Sequence, residues 1–417
     1  MVWFSLCSAL FYLLLGATLA LTFGTRNALI GTGLGVLALS VFGYLFSRHA
    51  IRSGQSCYLL SREIFGTAGA SLATLIFAVI AVYYAVFESS VVAIAAGKVI
   101  PAIDYRVACA LIVCYSVLLV MGSIQQWLDK LNGVLLPIYL VGLALTVAMT
   151  IRRYGYSDHW LNIPAPSGAP ASGWWNCFVA IFGMQLLMMI TLDMGRFGKR
   201  EDIRYHTLVA FGLPFYVLTF VVNTLVGIFL AASARLASVS ETVVMDVCLT
   251  VLGGPLGLFF IWVTQTRINT ANYFLSSSNL QAFLRETAGI QLSRLICAAA
   301  IGIVVFFFMT SSNVLKYILI AVNYQAVILT AWVGVALAYI TSAAGTQTAT
   351  APAAGTRAFV GRGLIAWFVA AVVGLTMMIK GEFVATLSAP ATLAMAFALY
   401  SVLPQSLARE PAQLRSE

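Results

Sequence analysis

Twelve apolar runs, each close to the length that crosses a lipid bilayer as a helix, divide this chain. They cover residues 3–22, 28–47, 70–97, 107–123, 132–151, 174–193, 207–232, 255–283, 295–310, 315–340, 363–380 and 384–403. A bilayer core takes about 20 apolar residues per helix, and every backbone N–H and C=O within it must be paired inside the protein. A β-barrel would show short alternating segments, whereas these runs are continuous. The chain is therefore read as an all-α polytopic membrane protein. Composition supports this: only 9% of the 417 residues are charged, against about 25% in a soluble domain.

The connections are short. The longest, 152–173, 233–254 and 341–362, cannot hold a soluble domain, so residues 1–417 form one transmembrane domain. Ser240–Leu252 is expected to form a short helix outside the membrane, with Ser240 capping it before Glu241. No basic leader precedes the first run, which is long enough to be a span. Because it begins at residue 3, a preceding cytoplasmic tail is expected to be absent or missing from the sequence. An even number of spans places both termini on one side. If that side is the cytoplasm, the inward connections carry fourteen Lys and Arg, from Arg48 to Arg415 and including Arg357 and Arg409, against eight outward. This positive-inside bias predicts a cell (inner or plasma) membrane protein with both termini cytoplasmic. The net charge of +9 is spread over connections with no dense basic cluster, so no nucleic-acid partner is expected.

Of seven cysteines, Cys7, Cys109, Cys114, Cys177 and Cys297 fall within runs, and Cys57 and Cys248 lie in or near connections. No CxxC or Cys/His spacing accompanies them, and they read as small buried thiols rather than metal ligands. His49, His159 and His206 are expected in loops, which argues against a histidine-centred active site. No hydrolase, kinase or dinucleotide motif is present, so neither enzymatic activity nor a cofactor is expected.

The eighth run contradicts its own length. Within Trp262–Phe283 about half of the residues are polar, and Arg267 sits at membrane depth. At 100° per residue, Gln265, Asn269, Asn272 and Ser276 share one narrow stripe, and Thr266, Thr270 and Tyr273 form a second beside it. Unpartnered polar groups in hydrocarbon cost several kcal/mol each, so these stripes must face protein, water or a ligand. Interhelical hydrogen bonding is the plain alternative. The number of side chains, with a charge added, favours a solute site.

Two other runs carry signs of interruption: the first at Gly16-Ala17-Thr18 and Gly24, the sixth at Gly183-Met184-Gln185. Interrupted helices at matching positions of two halves point to a transporter binding site. Spans 1 and 6 stand five apart, as two five-helix units require, and spans 3 and 8 then correspond. Apart from Lys316 and Lys380 at span ends, three charged side chains fall within spans: Glu88, Asp193 and Arg267. Each costs about 2.5–3.5 kcal/mol at the bilayer centre on the lenient scale. Ala81, Tyr84 and Glu88 share a helix face, a lining suited to a flat heterocycle with ring N–H groups. The structural alternative is that Glu88 neutralises Arg267. Asp193 stands three residues before Arg196, close enough to pair or cap, and reads as a turn and gate element.

These segments resemble the nucleobase–cation symporters of the purine–cytosine permease type, close to bacterial cytosine permeases and hydantoin transporters. Ser53-Gly54, Leu59–Gly66 (LLSREIFG), Gly69 and Gly97-Lys98 resemble the family's loop and third helix. Asp193–Gly198 (DMGRFG) resembles its D-x-x-R-[FY] signature, and Gln265–Asn279 its eighth-helix pattern of Asn, Asn and Tyr. The resemblance covers about the first 280 residues; beyond them only hydropathy matches.

The resemblance implies a LeuT-like fold: two inverted five-helix repeats, 1–151 and 174–340, plus two peripheral helices in 363–403. It implies secondary active import, by alternating access, of a nucleobase or related cyclic amide such as cytosine, a purine, a hydantoin or a hydroxymethylpyrimidine. The implied substrate residues are Tyr84, Gly183, Met184, Gln185, Asn269 and Asn272, and Glu88 adds a carboxylate one turn beyond Tyr84. The family's helix 3 glutamine appears as Ala81, its helix 3 tryptophan as Tyr84 and its helix 6 aromatic as Met184, so a ring other than cytosine is expected. Sodium-coupled members hold the cation with helix 1 carbonyls and two adjacent helix 8 hydroxyls, positions that fall on Thr266 and Arg267. Either Arg267 replaces sodium and Glu88 or another acid carries a proton, or a one-residue shift keeps Thr266 and Thr270 at a sodium site near Gly16. The coupling ion is thus H+ or Na+. Amino-acid or other metabolite transport on the same fold is the near alternative, and a passive channel the distant one. The sequence carries no sign of oligomeric state.

Overall fold

The structure, a computed structural model, describes residues 2–120, 124–236, 240, 242–311, 314–342 and 359–404. Glu241, Arg357, Arg409 and Arg415, invoked above, lie outside the described residues. All regular structure among the described residues is helical. The first span is α1 (Val2–Ser5), a 3-10 turn at Leu6–Ser8 and α2 (Leu10–Phe23). Then follow α3 (Thr25–Ser53), α4 (Cys57–Val99), α5 (Tyr105–Leu119) and α6 (Ile124–Tyr154). The sixth span is α7 (Gly173–Phe182) and α8 (Leu186–Gly195). The seventh combines α9 (Ile203–Tyr205), α10 (Leu213–Tyr216) and α11 (Asn223–Ser233) with two π-helical segments, His206–Ala210 and Val217–Val222. The chain continues through α12 (Val243–Leu252), α13 (Gly254–Ala288), α14 (Arg294–Ser311), α15 (Val314–Thr341), α16 (Gly361–Ile379) and α17 (Glu382–Val402).

Nine helical stretches among the described residues are long and apolar enough to cross a membrane, which makes this a multi-pass membrane protein. Of the twelve expected spans, three fall outside that group. The helices α2 and α5 have only 14 and 15 residues, and α13 carries the polar stripes.

The first span breaks elsewhere than the glycine pattern predicts. Residues 16–18 are helical, and the interruption lies at Leu6–Ala9, where Ala9 is extended with φ −62 and ψ 130. Packing explains this: a Cβ on Gly16 would stand 2.5 Å from the Thr224 Cα, so this glycine lets α2 and α11 meet backbone to backbone. The sixth span does break at Gly183–Gln185.

His206 opens a π-helical segment and His49 lies in α3, so neither is in a loop. Hydropathy falls off before the helix ends, but backbone pairing continues to Gly54, whose left-handed φ of 71° stops it. The short helix before α13 starts at Val243 with Thr242 at its N-cap, so Ser240 is not the cap. Gly66 bends α4 at φ 81°, a conformation that favours glycine, and its neighbour Phe65 accepts the Val360 amide at 2.9 Å.

The most extensive helix pairing is α4 against α13, which lays the polar stripe of α13 along the face bearing Glu88. The last two helices, α16 and α17, pack on each other and on α15.

Candidate functional site

The two helix breaks meet at a cavity of about 50 Å³, lined by Leu6, Ala9, Gly183 and Met184 from the breaks and by Tyr12, Tyr84, Glu88, Asn272 and Gln325 among others. At roughly 10–15 Å³ of such volume per water, it holds about three to five waters, so a ring-sized solute requires side chains to move. Its walls are mostly apolar, and Glu88 is the one charged residue among them.

Each polar group is set by a helix that packs elsewhere. Tyr84 of α4 accepts at its hydroxyl from Gln325 Nε2 of α15, 2.6 Å away, and stacks on Tyr83 with ring centroids 4.7 Å apart. Glu88 is buried, and its Oε2 accepts from Gln265 Nε2 of α13. Asn272 Nδ2 and Gln325 Oε1 are buried with no protein partner. A buried group left unpaired costs about 1–3 kcal/mol, so water or a solute is their natural partner. The cavity thus offers a carboxylate and an amide oxygen as acceptors, an amide as donor, and aromatic surfaces.

The structure brings Tyr84, Glu88, Gly183, Met184 and Asn272 to this cavity. It turns three other expected residues away. Gln185 folds back to donate to the Phe182 carbonyl at 2.7 Å, Asn269 donates to Ser89 Oγ at 2.8 Å, and Ala81 is buried outside the lining. Sequence reasoning missed Tyr12 and Gln325. A mid-span amide in the tenth run was the available signal for Gln325; Tyr12 is one aromatic among many.

Arg267 is fully buried and sits at the first break. Its Nη2 donates to the Phe4 carbonyl at 2.7 Å, and its guanidinium lies 5.6 Å from the centre of the Tyr139 ring. Nε and Nη1 have no hydrogen-bond partner. Glu88 does not neutralise it: among the described residues neither side chain has an ion-pair partner within 4.0 Å. The reason is their neighbours, since Gln265 and Phe4 occupy the facing positions. Thr266 pairs with the Tyr115 hydroxyl of α5 at 3.0 Å, and Thr270 donates to the Arg267 carbonyl at 2.7 Å. Gly16 packs on Thr224, and the Thr266 hydroxyl faces Tyr115. The freed Cys7 carbonyl at the break accepts from Asn223 Nδ2 at 3.0 Å, and Asn223 Oδ1 accepts from the Tyr139 hydroxyl at 2.6 Å.

A vestibule of about 900 Å³ runs along α2 and α7 to α15 and α17 and shares Phe11, Gly183 and Met184 with the inner cavity. At the far end of α8, Asp193 Oδ1 accepts from the Cys57 amide at 2.9 Å, capping α4 rather than pairing with Arg196. Arg196 lies over the Phe197 ring instead, at 4.7 Å. Beside it a chain of hydrogen bonds joins His49, Gln55, Glu63 and Tyr339, tying α3, α4 and α15 together. The seven cysteines are free, and the described residues hold no His/Cys/Asp/Glu group able to bind a metal.

The sequence matches no protein-family model. It also matches no curated protein. Solved structures do resemble it. The nucleobase-cation-symport-1 family transporter Mhp1, closed with bromovinylhydantoin bound, superposes with TM-score 0.74 at 12% identity, over 96% of this chain and 89% of that one. Mhp1 in its inward-facing conformation gives 0.70 at 13% identity, over 96% and 88%. A substrate-bound, outward-open Na+-coupled sialic acid symporter gives 0.61 at 12% identity, over 96% and 88%. Identities this low carry the fold alone: the chain has the LeuT-like fold of these transporters.

Proposed function

We propose that this protein is a secondary active transporter that imports a nucleobase or related cyclic amide by alternating access. The observation that carries the reading is the cavity where the two helix breaks meet, with a larger vestibule against one side of it. The likeness to Mhp1 with bromovinylhydantoin bound supports the substrate class. So does the lining: with Glu88 its one charged residue, it suits ring N–H groups and leaves the carboxylate of a zwitterionic amino acid without a cation. Tyr84, Glu88, Gly183, Met184 and Asn272 contact the solute in this reading. Residues 1–151 and 174–340 are the two repeats and 363–403 the peripheral pair. The termini are cytoplasmic, and the vestibule opens outward.

Coupling is by protons. Arg267 places a fixed positive charge against the carbonyl freed at the first helix break, and the Thr266 and Thr270 hydroxyls are engaged elsewhere. Glu88 is the proton carrier.

The test is uptake of labelled nucleobases, hydantoins, allantoin and thiamine-precursor pyrimidines into proteoliposomes with imposed pH or sodium gradients. Accumulation of at least one cyclic amide, driven by the pH gradient and abolished by a protonophore, is expected. Accumulation of amino acids alone, or equilibration without accumulation, sinks the substrate reading. Strict sodium dependence that survives a protonophore sinks the assignment of Arg267.

A further inference from the structure

Gln265 stands outside the cavity lining yet touches both parts that a transporter of this kind must connect. Its Nε2 donates to Glu88 Oε2, and its Oε1 accepts from the Leu10 amide at 3.4 Å. The two partners dictate the same amide orientation, because a carboxylate only accepts and a backbone N–H only donates. Leu10 opens α2, and the first N–H groups of a helix lack intrahelical partners. Gln265 therefore caps α2 from a different helix, a role usually taken by a residue at the helix's own start. Two residues on, Arg267 holds the Phe4 carbonyl on the other side of the break. One turn of α13 thus grips both ends of the interruption.

We propose that Gln265 is a positioning residue that transmits the state of Glu88 to the outer half of the first helix. A hydrogen bond to an ionised carboxylate is roughly twice as strong as a neutral one. Neutralising Glu88, or diverting it to a bound solute, loosens its hold on Gln265 and with it the cap on Leu10. Reciprocity then requires that displacement of α2 alter the hold of Glu88 on its proton or solute by the same factor. The titratable groups facing Glu88 are Tyr84 on its own helix and Tyr12 on α2, while α13 presents the neutral Gln265. The direction of this coupling rests on the transport reading above; the contacts do not.

The test is hydrogen–deuterium exchange of residues 9–14 in the purified full chain, without solute and at one pH. It compares wild type, Glu88→Gln, Gln265→Met and the double variant. Each single substitution is expected to speed exchange about threefold or more, and the double variant no more than Gln265→Met alone. Effects that multiply in the double variant, or wild-type protection in either single one, overturn the proposal. If Gln265→Met fails to fold, Gln265→Asn replaces it: its side chain, one methylene shorter, cannot reach Glu88 and Leu10 together. Exchange then quickens as in Gln265→Met and Glu88→Gln adds nothing; an added effect of wild-type size overturns the proposal. With no solute present, the result stands apart from any failure of the substrate reading. Where the wild type does accumulate a solute, Gln265→Met is expected to retain counterflow and lose pH-driven accumulation at least tenfold. Equal loss of both, or of neither, overturns the coupling role.

Discussion

Replacing Glu88 by Gln tests the proposed solute contact most directly. Gln265 occupies Oε2, so one carboxylate oxygen remains for a solute N–H in the cavity. The substitution preserves shape and an acceptor but removes the charge. Hydrogen bonds to charged groups contribute about 1.5–3 kcal/mol and neutral ones about 0.5–1.5 kcal/mol. The difference, about 1–1.5 kcal/mol, corresponds to a roughly 5- to 12-fold rise in Kd. Glu88→Ala removes the bond entirely, for a roughly 10- to 150-fold rise. It also strands the Gln265 amide, so its thermal stability should fall while that of Glu88→Gln changes little. Solute affinity is read by calorimetric titration, and stability by a thiol-reactive thermal shift. Concentrative uptake should be lost in Glu88→Gln if this group carries the coupling proton. Wild-type affinity in both variants would refute the contact, and wild-type accumulation in Glu88→Gln would confine Glu88 to structure.

Three further outcomes follow from packing and hydrogen bonding. Gly227→Ala puts a Cβ 2.0 Å from the Leu13 carbonyl oxygen; overpacking of this kind costs about 1–3 kcal/mol, seen as a lower Tm with the fold retained. Asp193→Ala removes the acceptor at the start of α4; cap losses run to about 0.5–2 kcal/mol, read as faster amide exchange over residues 57–60. Tyr84→Phe strands Gln325 Nε2, and a buried donor without a partner costs about 1–3 kcal/mol; solute affinity should weaken, and an unchanged Kd together with an unchanged Tm would show that the pair contributes nothing.

Much of the fold was legible because lipid imposes a single rule. Each span must satisfy its own backbone, so long apolar runs declare helices, and a run such as Trp262–Phe283 that breaks the apolar rule declares a buried polar face. The break in the sixth helix was readable for a related reason: a glycine beside a mid-span amide offers backbone freedom and a side chain to cap the freed groups, as Gln185 does for Phe182. The first break was misread because glycine serves two ends. Gly16 supplies close approach to Thr224, not unwinding, and the real interruption passes through Leu6–Ala9, where no glycine stands.

The sequence by itself determined that this chain is a bundle of membrane helices, that α13 is its polar element, and that Glu88, Asp193 and Arg267 must be shielded from lipid. Those conclusions depend on solvation free energies, which are properties of each residue. Only the tertiary structure decided partnership. It gave Glu88 to Gln265 instead of Arg267, Asp193 to the start of α4, and Arg267 to a carbonyl at the first helix break. Hydrogen bonds act over about 3 Å, and one sequence pattern is compatible with many such pairings. Which of them form depends on how α2, α4 and α13 lie against one another, and periodicity along one helix cannot fix its rotation against the next.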